Sequence, residues 1–234
     1  MNGLITTHHY EDLEEVLKRI REYKVSGVVD QTTCSKPYVL GQGQYKVALY
    51  DFGAKKNIAR ELVKRDCEVT VFPAHTPAQT ILDGHFDGIM LSNGPGDPSE
   101  CLDIIDNMKI LSQSEMPIFA ICLGHQLMAL AHGFETQKMV YGHHGANHPV
   151  KDLSTNRVYI STQNHNYVVK EESLDNQVAK MWFQNVNDGT LEGIEYLQKP
   201  IKTVQFHPEA CAGPLDTSYL FDEFIKMMGG NQNA

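Results

Sequence analysis

The sequence predicts an α/β fold, a mixed but mostly parallel sheet flanked by helices on both faces. Three observations lead there. From Lys46 onward, short apolar runs alternate with amphipathic segments of helical period, the pattern of successive strand–helix units. Runs such as Ile118-Phe119-Ala120-Ile121 are apolar throughout, as strands covered on both faces must be. After Gly133 the texture changes to short β-branched segments that read as additional strands.

Residues 1–44 stand apart. Glu11 to Tyr23 places Leu13, Val16, Leu17 and Ile20 at helical spacing with charges opposite, which predicts a short amphipathic helix. The stretch that follows, up to Leu40-Gly41-Gln42-Gly43-Gln44, shows little regular pattern and reads as a linker. Its two glycines lack both the preceding apolar strand and the GxxxxGK[ST] pattern of a phosphate loop. Strands are then expected at Val47–Tyr50, Glu68–Phe72, Phe86–Leu91 and Pro117–Ile121. Between them lie helices at about Lys55–Arg65, where Ile58, Leu62 and Val63 share a face, at Pro77–Leu82 and at Leu102–Leu111. Gly124 allows a sharp turn after the fourth strand, and Gln126–Ala131 follows as a helix stopped by Gly133. The β-branched segments are Thr136–Val140, Val158–Thr162, Val178–Phe183, Gly193–Tyr196 and Thr203–Phe206. A helix over Thr217–Met228 closes the chain ahead of a polar tail expected to fray. The division is therefore a leader and linker over 1–44 and one α/β domain over 45–234.

With 41% apolar and 21% charged residues, the chain has the make-up of an ordinary globular protein. A formal net charge of −9 and the lack of a basic stripe argue against a nucleic-acid binder. No apolar run is long enough to span a bilayer, and the N-terminus lacks the basic-then-apolar pattern of a signal peptide, so no membrane association is expected. The five cysteines, at 34, 67, 101, 122 and 211, form no CxxC pair and are odd in number. That suits a reducing cytoplasm better than a disulfide framework.

Chemistry concentrates where strands end. Cys122 ends the strand at 118–121, and its sulfur would stand above the sheet at the start of the next helix. The partial positive charge of a helix N-terminus favours thiolate over thiol. On its own, such a cysteine is more readily read as a core residue. Ser92-Asn93-Gly94-Pro95-Gly96-Asp97-Pro98 follows the third strand, a rigid turn whose backbone N–H groups can face a ligand. Loops at the carboxyl ends of strands line the ligand crevice of an α/β sheet, so this loop and Cys122 should be neighbours. Gln205-Phe206-His207-Pro208-Glu209 ends the last strand. Residues i and i+2 of an extended segment face the same way, so His207 and Glu209 can act together as a base oriented by a carboxylate. Gly142-His143-His144-Gly145-Ala146-Asn147-His148-Pro149 and Gln163-Asn164-His165-Asn166 lack the consistent ligand spacing of a zinc site. Their glycines and proline favour a polar structural loop with hydrogen-bonded histidines, and no metal is expected.

Cys-Leu-Gly-His-Gln at 122–126 with His-Pro-Glu at 207–209 resembles the class I, triad-type glutamine amidotransferases. Four further motifs narrow the likeness: Ser-Asn-Gly-Pro-Gly-Asp-Pro at 92–98, Gly-His-His-Gly-Ala-Asn-His-Pro-Val at 142–150, Tyr-Asp-Phe-Gly at 50–53 and Gln-Asn-His at 163–165. Over about Lys46 to Met228 the chain is similar to the small, glutamine-hydrolysing subunits of carbamoyl phosphate synthetases. The resemblance implies a flavodoxin-like three-layer sandwich that hydrolyses glutamine to glutamate and ammonia. It assigns Cys122 as nucleophile, His207 as base and then acid, and Glu209 as the residue orienting His207. It puts oxyanion donors on Gly94 and Leu123 and glutamine contacts on Gly96, Gln126 and Asn164, with Asn166 and Tyr167 in the adjoining substrate-facing positions. The family commonly has glycine where Asn166 stands, and asparagine's tolerance of left-handed backbone would preserve the loop.

The leader resembles the tail of those subunits' N-terminal domain, whose remainder would supply a further glutamine contact and much of the surface that meets a large subunit. The implied partners are L-glutamine and that large subunit, which uses ATP, Mg²⁺ and bicarbonate. This chain shows no ATP motif and is expected to carry no cofactor of its own. One alternative is an amidotransferase of another pathway, such as guanylate or anthranilate synthesis, against which the motifs at 92–98 and 142–150 argue. The other is an inactive regulatory or scaffolding domain, against which an intact Cys122, His207 and Glu209 argues.

Overall fold

A computed structural model describes residues 2–230. Two helices open the chain, α1 (Leu13–Glu22) and α2 (Val28–Thr32), followed by β1 (Tyr38–Leu40). Strands and helices then alternate as β2 (Tyr45–Asp51), α3 (Lys56–Val63), β3 (Cys67–Pro73), α4 (Ala78–Leu82), β4 (Gly88–Leu91), α5 (Leu102–Leu111), β5 (Ile118–Ile121) and α6 (Leu123–Ala131). The second half supplies β6 (Thr136–Asp152), β7 (Arg157–Val169), β8 (Ala179–Asn185), β9 (Leu191–Tyr196) and β10 (Ile201–Val204) before α7 (Tyr219–Gly230). The polar tail expected to fray lies outside the described residues from 231 onward.

One ten-stranded sheet runs in the order β1-β3-β2-β4-β5-β10-β9-β8-β6-β7. The strands β3, β2, β4, β5 and β10 are mutually parallel. At one edge β1 joins antiparallel, and at the other so do β9, β8, β6 and β7. The sheet is thus mixed, and its parallel part is the run of strands whose carboxyl ends carry Cys122 and the 92–98 loop.

The alternation along β2 shows what holds the layers. Val47 and Leu49 enter one apolar cluster with Ile58 and Leu62 of α3 and Phe221 and Phe224 of α7. Ala48 and Tyr50 point the other way, into a cluster with Met108 of α5 and Leu127 of α6. Burying each large side chain of this kind contributes roughly 1.5–3 kcal/mol, so both faces must be covered for the strand to persist. No helix among the described residues is long and apolar enough to cross a membrane.

Three segments differ from the sequence reading. The expected linker contains α2 and the edge strand β1, which sets Tyr38 opposite Val71 of β3. Those three exposed residues are too few to show a period. Val29 is buried and the Asp51 carboxylate accepts from Cys34 N–H at 2.9 Å, so this segment is tied to the sheet before β2 begins. Secondly, the histidine-rich motif at 142–150 is not a loop but part of β6, paired with β7 through His143↔His165, His144↔Asn164 and Gly145↔Gln163. Register shifts flank these pairs, and Gly142 (φ 71°) and Gly145 (φ 145°) adopt the positive φ that lets the strand bulge and continue. Thirdly, Asn166 lies in β7 and is not left-handed, so asparagine's tolerance of that backbone is not used.

Candidate active site

Cys122 alone separates β5 from α6, and the reversal from strand to helix forces its backbone to φ 54° and ψ −105°. A residue with a β-carbon is strained there and holds the conformation only if its surroundings over-determine it. They do so here. The N–H of Cys122 donates to Val204 O at 2.8 Å, Gln126 N–H donates to Cys122 O at 3.1 Å, and Gly124 N–H donates to Ser92 O at 3.0 Å. The last bond needs glycine: a β-carbon at 124 would sit 2.7 Å from Leu91 Cβ and 2.8 Å from its carbonyl oxygen. Cys122 is consequently fixed at the positive end of α6.

The loop after β4 lies beside this turn, as the adjacency of β4 and β5 requires. Ser92 Oγ accepts from Phe52 N–H at 2.9 Å and donates to Asn93 O at 2.7 Å. Asn93 Oδ1 accepts from Lys55 N–H at 2.9 Å, pinning this loop to the one after β2. Gly94 fits between them because it has no side chain: a β-carbon would come 2.3 Å from Phe52 O and 2.5 Å from Leu123 Cδ2. Gly94 and Leu123, the residues expected to serve an oxyanion, are therefore packed together. Gly96 (φ 98°) is covered by α2, with Val28 Cγ2 only 2.6 Å from where its β-carbon would stand.

His207 arrives from the far side of Cys122, after β10, which pairs with β5. Its N–H donates to Thr162 O of β7 at 2.9 Å, and its ring Nδ1–H donates to Glu209 Oε1 at 2.7 Å. The two side chains are only 2% and 0% exposed. Nε2 is buried without a hydrogen-bond partner, and Cys122 is the charged neighbour that acts most strongly on the ring. Burial by itself would lower the imidazole pKa, but the Cys122 thiolate and the Glu209 carboxylate outweigh it and raise it to about 9. For Glu209, burial pushes upward, yet the bond from His207 and the charges of His207 and Lys55 carry its pKa below the usual carboxylate value. The charged imidazolium, bonded to the Glu209 carboxylate, is the form of His207 that these surroundings favour.

Two residues around the triad escaped the sequence reading. Lys55 Nζ lies 3.5 Å from Glu209 Oε1 and 3.2 Å from His207 Nδ1. The Asn57 side-chain amide donates to the Glu209 carbonyl. Both follow β2, and a carboxyl-end loop of a parallel strand was the available signal.

The expected substrate residues fall in distinct places. Gln126 Nε2 donates to Tyr167 O at 2.9 Å and Gln205 Oε1 at 2.8 Å. The Tyr167 hydroxyl pairs with Asp97, and burial together with that carboxylate pushes it up to about 12. Asn164 and Asn166 stand on the exposed face of β7, their Oδ1 atoms 2.9 and 3.2 Å from Nδ1 and Nε2 of His144. Thus Cys122, His207, Glu209, Gly94 and Leu123 form one centre, and Gln126 and Tyr167 join it to the β4 loop. Asn164 and Asn166 mark the β7 face alongside. Away from this centre, His143, His165 and Glu192 bring metal-ligand-type atoms within 4.8 Å of one another.

Comparison with known proteins agrees with this geometry. The family model described as "Glutamine amidotransferase class-I" matches residues 48–227. The carbamoyl phosphate synthase small chain of Listeria monocytogenes is 46% identical over 224 residues, 95% of this chain and 61% of that protein. The protein of the same name from Photorhabdus laumondii is 54% identical over 184 residues, 79% of this chain and 47% of that one. This chain therefore spans roughly half to three-fifths of the relatives it matches. Among solved structures, a Thermoplasma acidophilum protein described as part of a GMP synthase shares the fold, with a TM-score of 0.70 at 21% identity over 80% of this chain and 96% of that one. The chain belongs to the class-I glutamine amidotransferase family.

Proposed function

We propose that this chain hydrolyses L-glutamine to glutamate and ammonia and passes the ammonia to a carbamoyl phosphate synthetase large subunit. The observation that carries the reading is the Cys122–His207–Glu209 arrangement, with a strained nucleophile turn beside the glycine loop. The Cys122 thiolate attacks the carboxamide carbon of glutamine, and the carbonyl oxygen becomes an oxyanion that the N–H groups of Gly94 and Leu123 receive. As the tetrahedral species collapses, the C–N bond breaks and His207 Nε2–H gives its proton to the departing nitrogen, releasing ammonia. A γ-glutamyl thioester remains on Sγ. His207, now neutral, takes a proton from water as the water oxygen attacks the thioester carbon. The C–S bond then breaks, glutamate leaves, and the thiolate–imidazolium pair is restored. Glu209 holds the ring so that Nε2 faces sulfur in both steps.

Gln126, Gly96, Asn164, Asn166 and Tyr167 are the residues we assign to glutamine. This chemistry needs no cofactor on the chain; ATP, Mg²⁺ and bicarbonate belong to the partner, and the cytoplasm is the compartment that suits five unpaired thiols. The names of the relatives favour carbamoyl phosphate synthesis over another amidotransferase pathway. The test is glutamate release from glutamine by the wild-type chain and by Cys122→Ala, each with and without a large subunit. Release that requires Cys122, alone or with the partner, supports the proposal. No release in any arm from folded protein refutes it.

A further inference from the structure

The chemistry assigned above leaves unused a buried set of polar side chains on the antiparallel wing. Glu192 of β9 is fully buried, and its Oε1 accepts from His143 Nδ1 at 3.0 Å and Asn185 Nδ2 at 3.2 Å, while Oε2 has no partner. His143 of β6 presents Nε2 to Asp188 Oδ2 at 2.8 Å. With a carboxylate on each ring nitrogen, both nitrogens must donate, and only the imidazolium has two N–H groups. The preference of His143 for the charged form, its pKa raised to about 9, follows from the same two carboxylates after burial has worked against them. Glu192, His143 and Asp188 thus form a relay that runs from the interior to the exposed Asp188, with burial raising the Glu192 pKa against the bonds from His143 and Asn185 that lower it. Removing one member of such a set leaves a charge uncompensated in the interior.

Its position on β6 explains what it does. Between Lys138 and His143, and again between Gly145 and His148, the β6–β7 register shifts, so the three pairs at His143, His144 and Gly145 form a short run bounded by a shift at each end. A one-residue slip would exchange the two faces of β7. The buried face carries Gln163 and His165. Gln163 Oε1 lies 2.9 Å from His143 Nδ1 and 2.8 Å from His165 Nε2. His165 Nδ1 lies 2.8 Å from Tyr167 O, the carbonyl that also accepts from Gln126. The exposed face carries Asn164 and Asn166. The same strand meets His207 through Thr162 O. Side-chain bonds thus add to the ladder in the short paired run between the two register shifts.

We propose that Glu192 and His143, braced by Asp188, are positioning residues that fix the register of β7 and so present its Asn164–Tyr167 segment to glutamine. Neither is assigned to touch the substrate or the reacting atoms. The inference rests on the glutaminase reading for its consequence but not for its structural content. The test is Glu192→Gln, which keeps shape and replaces the carboxyl oxygen facing the cluster by an amide, beside Glu192→Asp. Two readouts separate the proposal from its premise. In steady-state glutamine hydrolysis, Glu192→Gln should raise KM at least about tenfold with kcat within about threefold, the signature of lost ground-state positioning, and Glu192→Asp should recover part of it. In amide hydrogen exchange, Glu192→Gln should lose protection at 142–145 and 162–167 and keep it in β4 and β5.

If the wild type releases no glutamate, the function proposal falls while hydrogen exchange still decides the register role. Unchanged protection in that segment overturns the inference. So does a loss of protection spread over the parallel strands, which would make Glu192 a general stability residue. An unchanged KM in an active enzyme overturns it as well. Native mass spectrometry after incubation with Zn²⁺ is the last arm. One Zn²⁺ per chain, lost in Glu192→Gln, would make the cluster a metal site instead.

Discussion

Replacing Glu209 with glutamine tests the charge logic of the triad. The carboxylate accepts a 2.7 Å bond from His207 Nδ1–H inside a site where both side chains are almost completely buried. A charge-assisted bond of this kind contributes about 2–3 kcal/mol. Most of that is expressed when the ring is charged, so Glu209→Gln should lower kcat/KM by roughly 30- to 150-fold. The amide also removes one of the two negative charges that hold the imidazole pKa near 9. His207 must be protonated to release ammonia, so activity falls as pH rises through that value. Without the carboxylate, the alkaline limb should move to lower pH. Glutamate release followed from about pH 6 to 10 for both proteins, with Cys122→Ala as blank, checks both effects. A limb that does not move, or a loss of less than about threefold, would refute the electrostatic role given to Glu209.

Three further outcomes follow from the same geometry. Lys55→Met removes a charge 3.5 Å from Glu209, but the Lys55 side chain is 46% exposed and screened, so kcat/KM should fall by less than about tenfold in the same assay. Gly124→Ala drives a β-carbon to within 2.7 Å of Leu91 Cβ; overpacking of this kind costs about 1–3 kcal/mol, and calorimetry should show Tm lowered by several degrees. His143 has a folded pKa raised to about 9 against an ordinary value of 6.5, so the fold binds an extra proton between those values. The stability this supplies is fully present below 6.5 and is lost as pH rises through 9, by about 1–3 kcal/mol. Thermal melts across that window should decline for the wild type and flatten for His143→Gln.

The parallel half of the fold was legible because its signals are local. Strands such as Ile118–Ile121 are buried on both faces and read as unbroken apolar runs, and the turns after them carry glycine where backbone approaches backbone. The nearness of Cys122, His207 and Glu209 was legible for the same reason: Cys122 and His207 follow adjacent strands, and Glu209 is two residues beyond His207. What escaped were features set by partners distant in sequence. Tyr38–Leu40 is a strand only because the edge of β3 is available, and its residues remain exposed. The 142–150 motif looks like a loop because its glycines and proline are loop residues, and only pairing with 158–165 makes it strand. Lys55 looks like one of two solvated lysines; that it reaches Glu209 depends on a contact 154 residues away in the chain.

These long-range pairings converge on β7. Its Thr162 carbonyl receives the N–H of His207, and its Tyr167 carbonyl receives the amide of Gln126, four residues beyond Cys122. The base and the nucleophile helix are thus tied to one strand at two points five residues apart, although neither belongs to the antiparallel wing that supplies it. The Asn164–Tyr167 segment lies between or at these two points. The backbone ladder at residues 163–165 is a short paired run with a register shift at each end. On the proposal made above, the buried Glu192 on β9, far in sequence from Cys122, steadies the segment of this strand that faces glutamine. In this fold the parallel strands place the reactive groups, and the antiparallel wing bonds through β7 to the His207 loop and to the helix that follows Cys122.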